Sequence, residues 1–334
     1  MTSRIKKLDR GFIAQVKSVW HSVCENTADR FSCLGEGNNV SIEQAHEVLD
    51  FGIKKVPVFR GIPGFYKPIP GNYCLVRTDH DVVIVPHVGE RFTAESHGMM
   101  LDYIDRFVLA EFPDAVIDST LTLNNGSIGI VSIKVGEFNV KGDDSQTISN
   151  LTAINPLGEG SFLVCGNNTR VVCWNTSQFA LSEGRKLGAY AKIRHTKWAN
   201  MKVANAMINI AEAKLGMVRM TETLEKLSKV EVNTEYIDKF LEAMFPTPPV
   251  EERTPRKFDI LSAKRNGIMN IFESDQYMAK SINRSKYALF QSYTDYADHG
   301  GDGDYGANEV FDGMTGARAT KKNQALTYLC NMRL

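Results

Sequence analysis

Asn124-Asn125-Gly126 separates two alternating apolar runs, Ala115–Leu123 and Ser127–Val135. Asn-Gly in that setting is one of the strongest hairpin signals a sequence carries, because both residues accept the positive φ that a tight turn demands. The same grammar recurs upstream. Tyr73–Thr78 alternates, Asp79-His80-Asp81 supplies a turn, and Val82–Val88 returns. Further strands fit Thr147–Ile154, Ser161–Cys165 and Thr169–Trp174, with Gly166-Asn167-Asn168 as another turn. Between the hairpins, Met99, Met100, Tyr103, Ile104, Phe107 and Val108 recur at helical spacing and predict a helix over Glu95–Glu111. Hairpin, helix, then a run of antiparallel strands is an α+β order, not that of a doubly wound parallel sheet.

The flanks differ. Residues 1–40 have weak periodicity and a Gly/Asn-rich stretch at 35–39. Ser41 with Gln44 forms a capping box, predicting a helix to about Asp50 that Gly52 ends. Pro57, Pro63, Pro68 and Pro70 then suggest an extended, punctuated run. After Ser177 the pattern turns helical, over about 197–229, 234–245, 256–275, 277–297 and 317–330. A Pro-rich break at 246–255 and a Gly/Asp-rich loop at 299–306 interrupt it. The expected organisation is an N-terminal segment with one short helix (1–55), an antiparallel α+β core (56–182) and a helical C-terminal region (183–334). A chain of 334 residues suits two domains or one large one.

At 43% apolar and 23% charged, the chain is globular rather than disordered or fibrous. Its 39 basic and 39 acidic side chains exclude a polybasic tail as the main binding device, but not a local cationic face. No apolar run approaches the roughly 20 residues of a spanning helix, and Arg4, Lys6 and Lys7 are followed by no signal-peptide core. The expectation is a cytoplasmic protein with no membrane partner. None of the six cysteines sits in a CxxC pair, so buried reduced thiols are expected rather than a zinc or redox motif.

Motifs for chemistry are sparse. Gly301–Gly306 spells GxGxxG, but no strand precedes it, and Asp298, Asp302 and Asp304 would repel a pyrophosphate. Those aspartates with His299 could hold a divalent ion, although the spacing fits no EF-hand. There is no Walker A, HExxH or GxSxG motif. No catalytic residue, metal ligand or cofactor is therefore nominated, and a non-enzymatic protein is the expectation.

Arg185–Val203 is more informative. Arg185, Lys186, Lys192, Arg194, Lys197 and Lys202 occur there without an acidic residue, interleaved with Tyr190, His195 and Trp198. Cations for phosphate and rings for stacking are what single-strand binding requires. A solvated helix start with two docked aromatics explains the composition equally well. By contrast, Asp102, Asp105, Glu111, Asp114 and Asp118 make the helix near 100 and its exit acidic. Arg170-Val171-Val172-Cys173-Trp174-Asn175-Thr176 reads as a buried strand whose Asn175 and Thr176 cap a following helix, or as a strand with Arg170 turned to phosphate.

At this strand the chain resembles the phage/plasmid-like protein family, a domain of unknown function of bacteriophages and mobile elements. The resemblance rests on Ser41–Ala45, Tyr73–Asp79, Val88–Phe92, Arg170–Thr176, His195-Thr196, Thr294–His299 and the Gly316–Leu326 stretch, in that order. The family is similar, in its β-β-helix-β-β arrangement, to single-strand annealing proteins of the eukaryotic Rad recombination type. The resemblance implies a phage-encoded protein of the host cytoplasm. The leading expectation is single-stranded DNA binding in replication or recombination, with strand annealing as its finer form, by a homo-oligomer. Arg77, Arg170, Arg185, Lys192, Arg194 and Lys197 would meet phosphates, and Tyr190 and Trp198 would stack on bases. The alternative is a phage–host interaction protein, an inhibitor or decoy of a host defence system, with a phage or host protein as partner.

Overall fold

The computed structural model describes residues 33–34, 40–62, 65–158, 161–170, 175–178, 190–194, 210–275, 278–299 and 316–332. A two-residue strand β1 (Cys33–Leu34) and helix α1 (Ile42–Leu49) come first. Strands β2 (Ile53–Ile62), β3 (Phe65–Arg77) and β4 (Val82–Gly89) form a three-stranded antiparallel sheet. Helix α2 (His97–Tyr103) continues through a π-helical turn, Ile104–Leu109. There follow β5 (Val116–Leu123), β6 (Ile128–Phe138), β7 (Thr147–Pro156), β8 (Ser161–Arg170), β9 (Asn175–Gln178) and β10 (Tyr190–Arg194). With β1 they make a seven-stranded sheet in the order β1-β5-β6-β7-β8-β10, with β9 also paired to β8. Every pairing is antiparallel. Helices α3 (Ile210–Ser228), α4 (Thr234–Met244), α5 (Pro255–Ser274), α6 (Lys286–His299) and α7 (Ala317–Asn331) complete an α+β fold.

Local chemistry explains the boundaries. Gln44 N donates to Ser41 Oγ (3.2 Å) and Ser41 N to Gln44 Oε1 (2.9 Å), the reciprocal capping box of α1. Met99 N donates to Ser96 Oγ, which starts α2 two residues later than its periodicity predicts. Asn124, Asn125 and Gly126 all take positive φ (52°, 60° and 97°) and close the β5–β6 hairpin.

Most departures from expectation come from strand pairing. The proline run is not a simple extended stretch but a long hairpin of β2 and β3. Its register jumps from Pro57↔Tyr73 to Phe59↔Pro68, and β4 joins β3 only from Asn72 onward. Pro68 and Pro70 therefore sit where β3 has a single partner, so their missing N–H groups cost little. Gly166-Asn167-Asn168 is not a turn. These residues lie inside β8, opposite Leu151, Asn150 and Ser149 of β7, with β9 opposite the two asparagines on the other side. Asn175 and Thr176 belong to β9 and do not cap a helix. Tyr190–Arg194, expected within a helical region, is strand β10. The helix expected from 277 begins at Lys286, where Ala288 N donates to Ser285 Oγ in the manner of an N-cap. Of the helix expected over 197–229, the described part is α3, and 197–209 lie outside the described residues.

One apolar cluster joins sheet and helices. Val131, Ile133, Leu151, Ala153, Phe162 and Val164 pack with Leu101 and Ile104 of the α2 segment, Leu224 of α3, Phe240 of α4, Tyr287 and Leu289 of α6 and Leu329 of α7. All ten residues of β7 are buried. The small sheet has its own cluster of Phe51, Leu75, Ile84, Val85 and Val88, closed by Leu157 at the end of β7.

Candidate nucleic-acid interface

Arg77 ends β3 at the corner where the two sheets meet. Only 4% of it is exposed. Its Nε and Nη2 donate to the Asp79 carboxylate (2.7 and 2.8 Å), and the guanidinium lies 3.8 Å over the Phe51 ring. That hydrogen bonding holds the Asp79 carboxyl below its ordinary range. Phe51 meets His97 edge-on at 5.4 Å. His97 Nε2 donates to Gly126 O (2.9 Å), and Asn155 Nδ2 donates to His97 Nδ1 (3.1 Å). A chain of contacts thus ties the small sheet to the β5–β6 turn and the end of β7. Arg77, nominated from sequence for phosphate, has its charge answered by Asp79 and its plane covered by Phe51.

Of the other nominated residues, Arg170 lies on β8, and Tyr190, Lys192 and Arg194 lie on β10, which pairs with it. Register places Tyr190 opposite Cys165, Lys192 opposite Leu163 and Arg194 opposite Ser161. β10 is the last strand of its sheet, and residues two apart share a face. Positions 190, 192 and 194 therefore share one face at a sheet edge. Across the sheet, that face continues through Thr152, Ile154, Ile130 and Ser132. Ala191 and Ile193, opposite Val164 and Phe162, belong to the face that packs under the helices. Arg170 pairs with Thr147 of β7 and Asn175 of β9, in the alternate set that contains Phe162 and Val164. It therefore falls on the opposite face from Lys192 and Arg194, and a single flat groove does not take all three. Arg185, Lys197 and Trp198 lie outside the described residues, as do His195, Asp302 and Asp304.

The far end of β8 leads to a buried polar seam that sequence reasoning missed. α6 and α7 both lie against β9. Between them Lys322 Nζ meets Asp298 Oδ1 at 2.7 Å, with 1% and 5% of their side chains exposed. Gln291, Thr294, Asp295 and Asn323 are buried beside this pair. Nearby, Tyr287 donates its hydroxyl to Asp143 Oδ2 (2.6 Å), and Lys286 Nζ donates to Leu329 O and Met332 O. Burial pushes the phenols of Tyr236 and Tyr293 up to about 12 and the Lys286 ammonium down. Asp298 is thus the partner of a lysine rather than an open metal ligand. Among the described residues no group of three or more His, Cys, Asp or Glu could hold a metal ion.

Described parts of three stretches that carry the family resemblance converge here: Asn175-Thr176 on β9, Thr294–His299 on α6, and Gly316–Leu326 on α7. The first precedes the other two by more than 100 residues in sequence. The available signal was the polar content of α6 and α7, helices too poor in apolar residues to read as simple core. The one described cysteine with an open surface is Cys330, against the expectation of buried thiols, while Cys74 is half-buried.

A family model described as a domain of unknown function (DUF932) matches residues 85–329. The chain belongs to that family. The matched segment holds β5–β10 and α2–α7, including the β8–β10 edge and the α6–α7 seam, whereas α1, β2 and β3 precede it. No curated protein and no solved structure matches significantly. Among the described residues no helix is long and apolar enough to cross a membrane.

Proposed function

We propose that this DUF932 protein binds single-stranded nucleic acid without hydrolysing it, in the replication or recombination of a phage or related mobile element. The observation that carries the reading is the alternation in β10. Tyr190, Lys192 and Arg194 are alternate positions of a terminal strand and share one of its faces, whose neighbours deeper in the sheet, Leu163, Ile154 and Ile130, are buried. A ring and two cations at 6–7 Å intervals along a strand match the spacing of successive nucleotides. Arg185, Lys197 and Trp198 flank that strand in sequence and extend the same chemistry. Arg170 falls on the other face and is not part of this surface. Self-association would place several such edges in line along one strand of nucleic acid.

The test is binding of a fluorescent oligothymidylate by the full chain and by K192A/R194A. The variant is expected to bind roughly tenfold more weakly or worse. Its salt slope should be shallower by about 1.4, near 0.7 for each lost single-strand phosphate contact. Equal affinity and slope in the two proteins would remove β10 from the interface. Capture of one stoichiometric host protein with no nucleic-acid binding would replace the reading with the host-interaction alternative.

A further inference from the structure

The β2–β3 hairpin extends past the sheet it belongs to. β4 pairs with β3 only over Asn72–Arg77, so residues 59–68 form a two-stranded arm. From residue 51 to residue 78 the sequence holds Lys54, Lys55, Arg60, Lys67 and Arg77 and no aspartate or glutamate. Two of these cations are committed. Arg77 pairs with Asp79, and Lys55 Nζ donates to Glu90 O (2.6 Å) and Phe92 O (3.1 Å) while sitting 4.6 Å over the Tyr73 ring.

Arg60 and Lys67 stand differently. They are exposed and directly opposite one another in the ladder, so they share a face. Like charges in directly opposed positions weaken an antiparallel pair, and an anion between them reverses the sign. Phe65, opposite Ile62, lies on the same face and is 75% exposed. Phe59 (52%) and Tyr66 (63%) lie on the other face. Three aromatic rings in solvent on one short ribbon are not needed for packing, since the core of this sheet is Phe51, Leu75, Ile84, Val85 and Val88.

We infer that the tip of this arm is a second nucleic-acid contact, with a single-strand phosphate held between Arg60 and Lys67 and a base stacked on Phe65 on the same face. Opposed cations call for an anion, and an exposed ring beside them calls for a planar group. A single strand supplies both, whereas an acidic peptide supplies only the first. The inference rests on the proposed single-strand binding and adds a contact outside the segment matched by the family model.

The experiment compares four full-length proteins on labelled oligothymidylate over a salt series: wild type, R60A/K67A, F65A/Y66A and K192A/R194A. Circular dichroism melting of each free protein serves as the folding control. R60A/K67A is expected to bind several-fold more weakly with a salt slope about 0.7 shallower, for the one phosphate lost. Its free melting temperature should be equal to wild type or higher, because a like-charge pair is removed. F65A/Y66A is expected to lose about fivefold or more for the base stacked on Phe65, with its salt slope unchanged. Wild-type binding that survives unchanged in both arm variants overturns the arm and leaves the proposed function standing. No wild-type binding even at low salt overturns both. Loss in the arm variants with none in K192A/R194A keeps the arm and removes β10.

Discussion

Glu242 shows how much of a residue's behaviour depends on partners that the sequence does not identify. Its carboxylate accepts from Thr247 N and Thr247 Oγ1 (2.7 Å each) and pairs with Arg265. Those hydrogen bonds, led by the Thr247 backbone N–H, bring its pKa down to about 2. A carboxyl whose folded pKa is depressed stabilises the fold above its ordinary pKa, and that stability is lost as pH falls toward the folded value. E242Q is therefore expected to melt lower than wild type at pH 7, by a modest amount because Glu242 is half exposed. The difference should close as pH falls from about 4.5 to about 2. A difference independent of pH would assign the effect to shape instead of charge. Residue-level features were legible in the sequence where they are local. Ser41 and Gln44 form the capping box their spacing predicts. Arg77 was not legible, because its exposure is set by Phe51, 26 positions earlier, and by the approach of the β5–β6 turn.

The elements follow the same division. The β5–β6 hairpin, the β3–β4 hairpin and helices α4, α5 and α7 fall where turn residues and periodicity put them. The errors concern Gly166–Asn168, Thr176 and Tyr190–Arg194, whose strand conformation is decided by neighbours in the sheet. Glycine and asparagine favour turns in isolation, but inside β8 their backbone groups pair with adjacent strands, which outweighs that preference. The α6–α7 seam was illegible for a related reason: a buried lysine reads as a surface residue until its partner is in place. The Lys322–Asp298 pair gives an element-level prediction. K322M removes the ammonium paired with a buried carboxylate and is expected to cost about 3–5 kcal/mol in chemical unfolding. Adding D298L should recover much of that loss. A double variant as unstable as the sum of the two singles would show that the two side chains act independently.

At the scale of the molecule, one core runs from β6 and β7 into α3, α4, α6 and α7, so the helical region is built onto the sheet rather than beside it. The proposed interface lies at two margins: the β10 edge of the large sheet and the β2–β3 arm on the small sheet. A chain with 39 basic and 39 acidic residues can still present cationic surfaces, because its charges are unevenly placed. The most direct measurement is fluorescence anisotropy of the full chain with a labelled single-stranded oligonucleotide, against a duplex of the same sequence, across a salt series. The account predicts preference for the single strand and an affinity that falls steeply and log-linearly with salt, with a slope of at least about −2 for three or more phosphate contacts. Absence of binding at low salt, or equal binding of duplex and single strand, would contradict it.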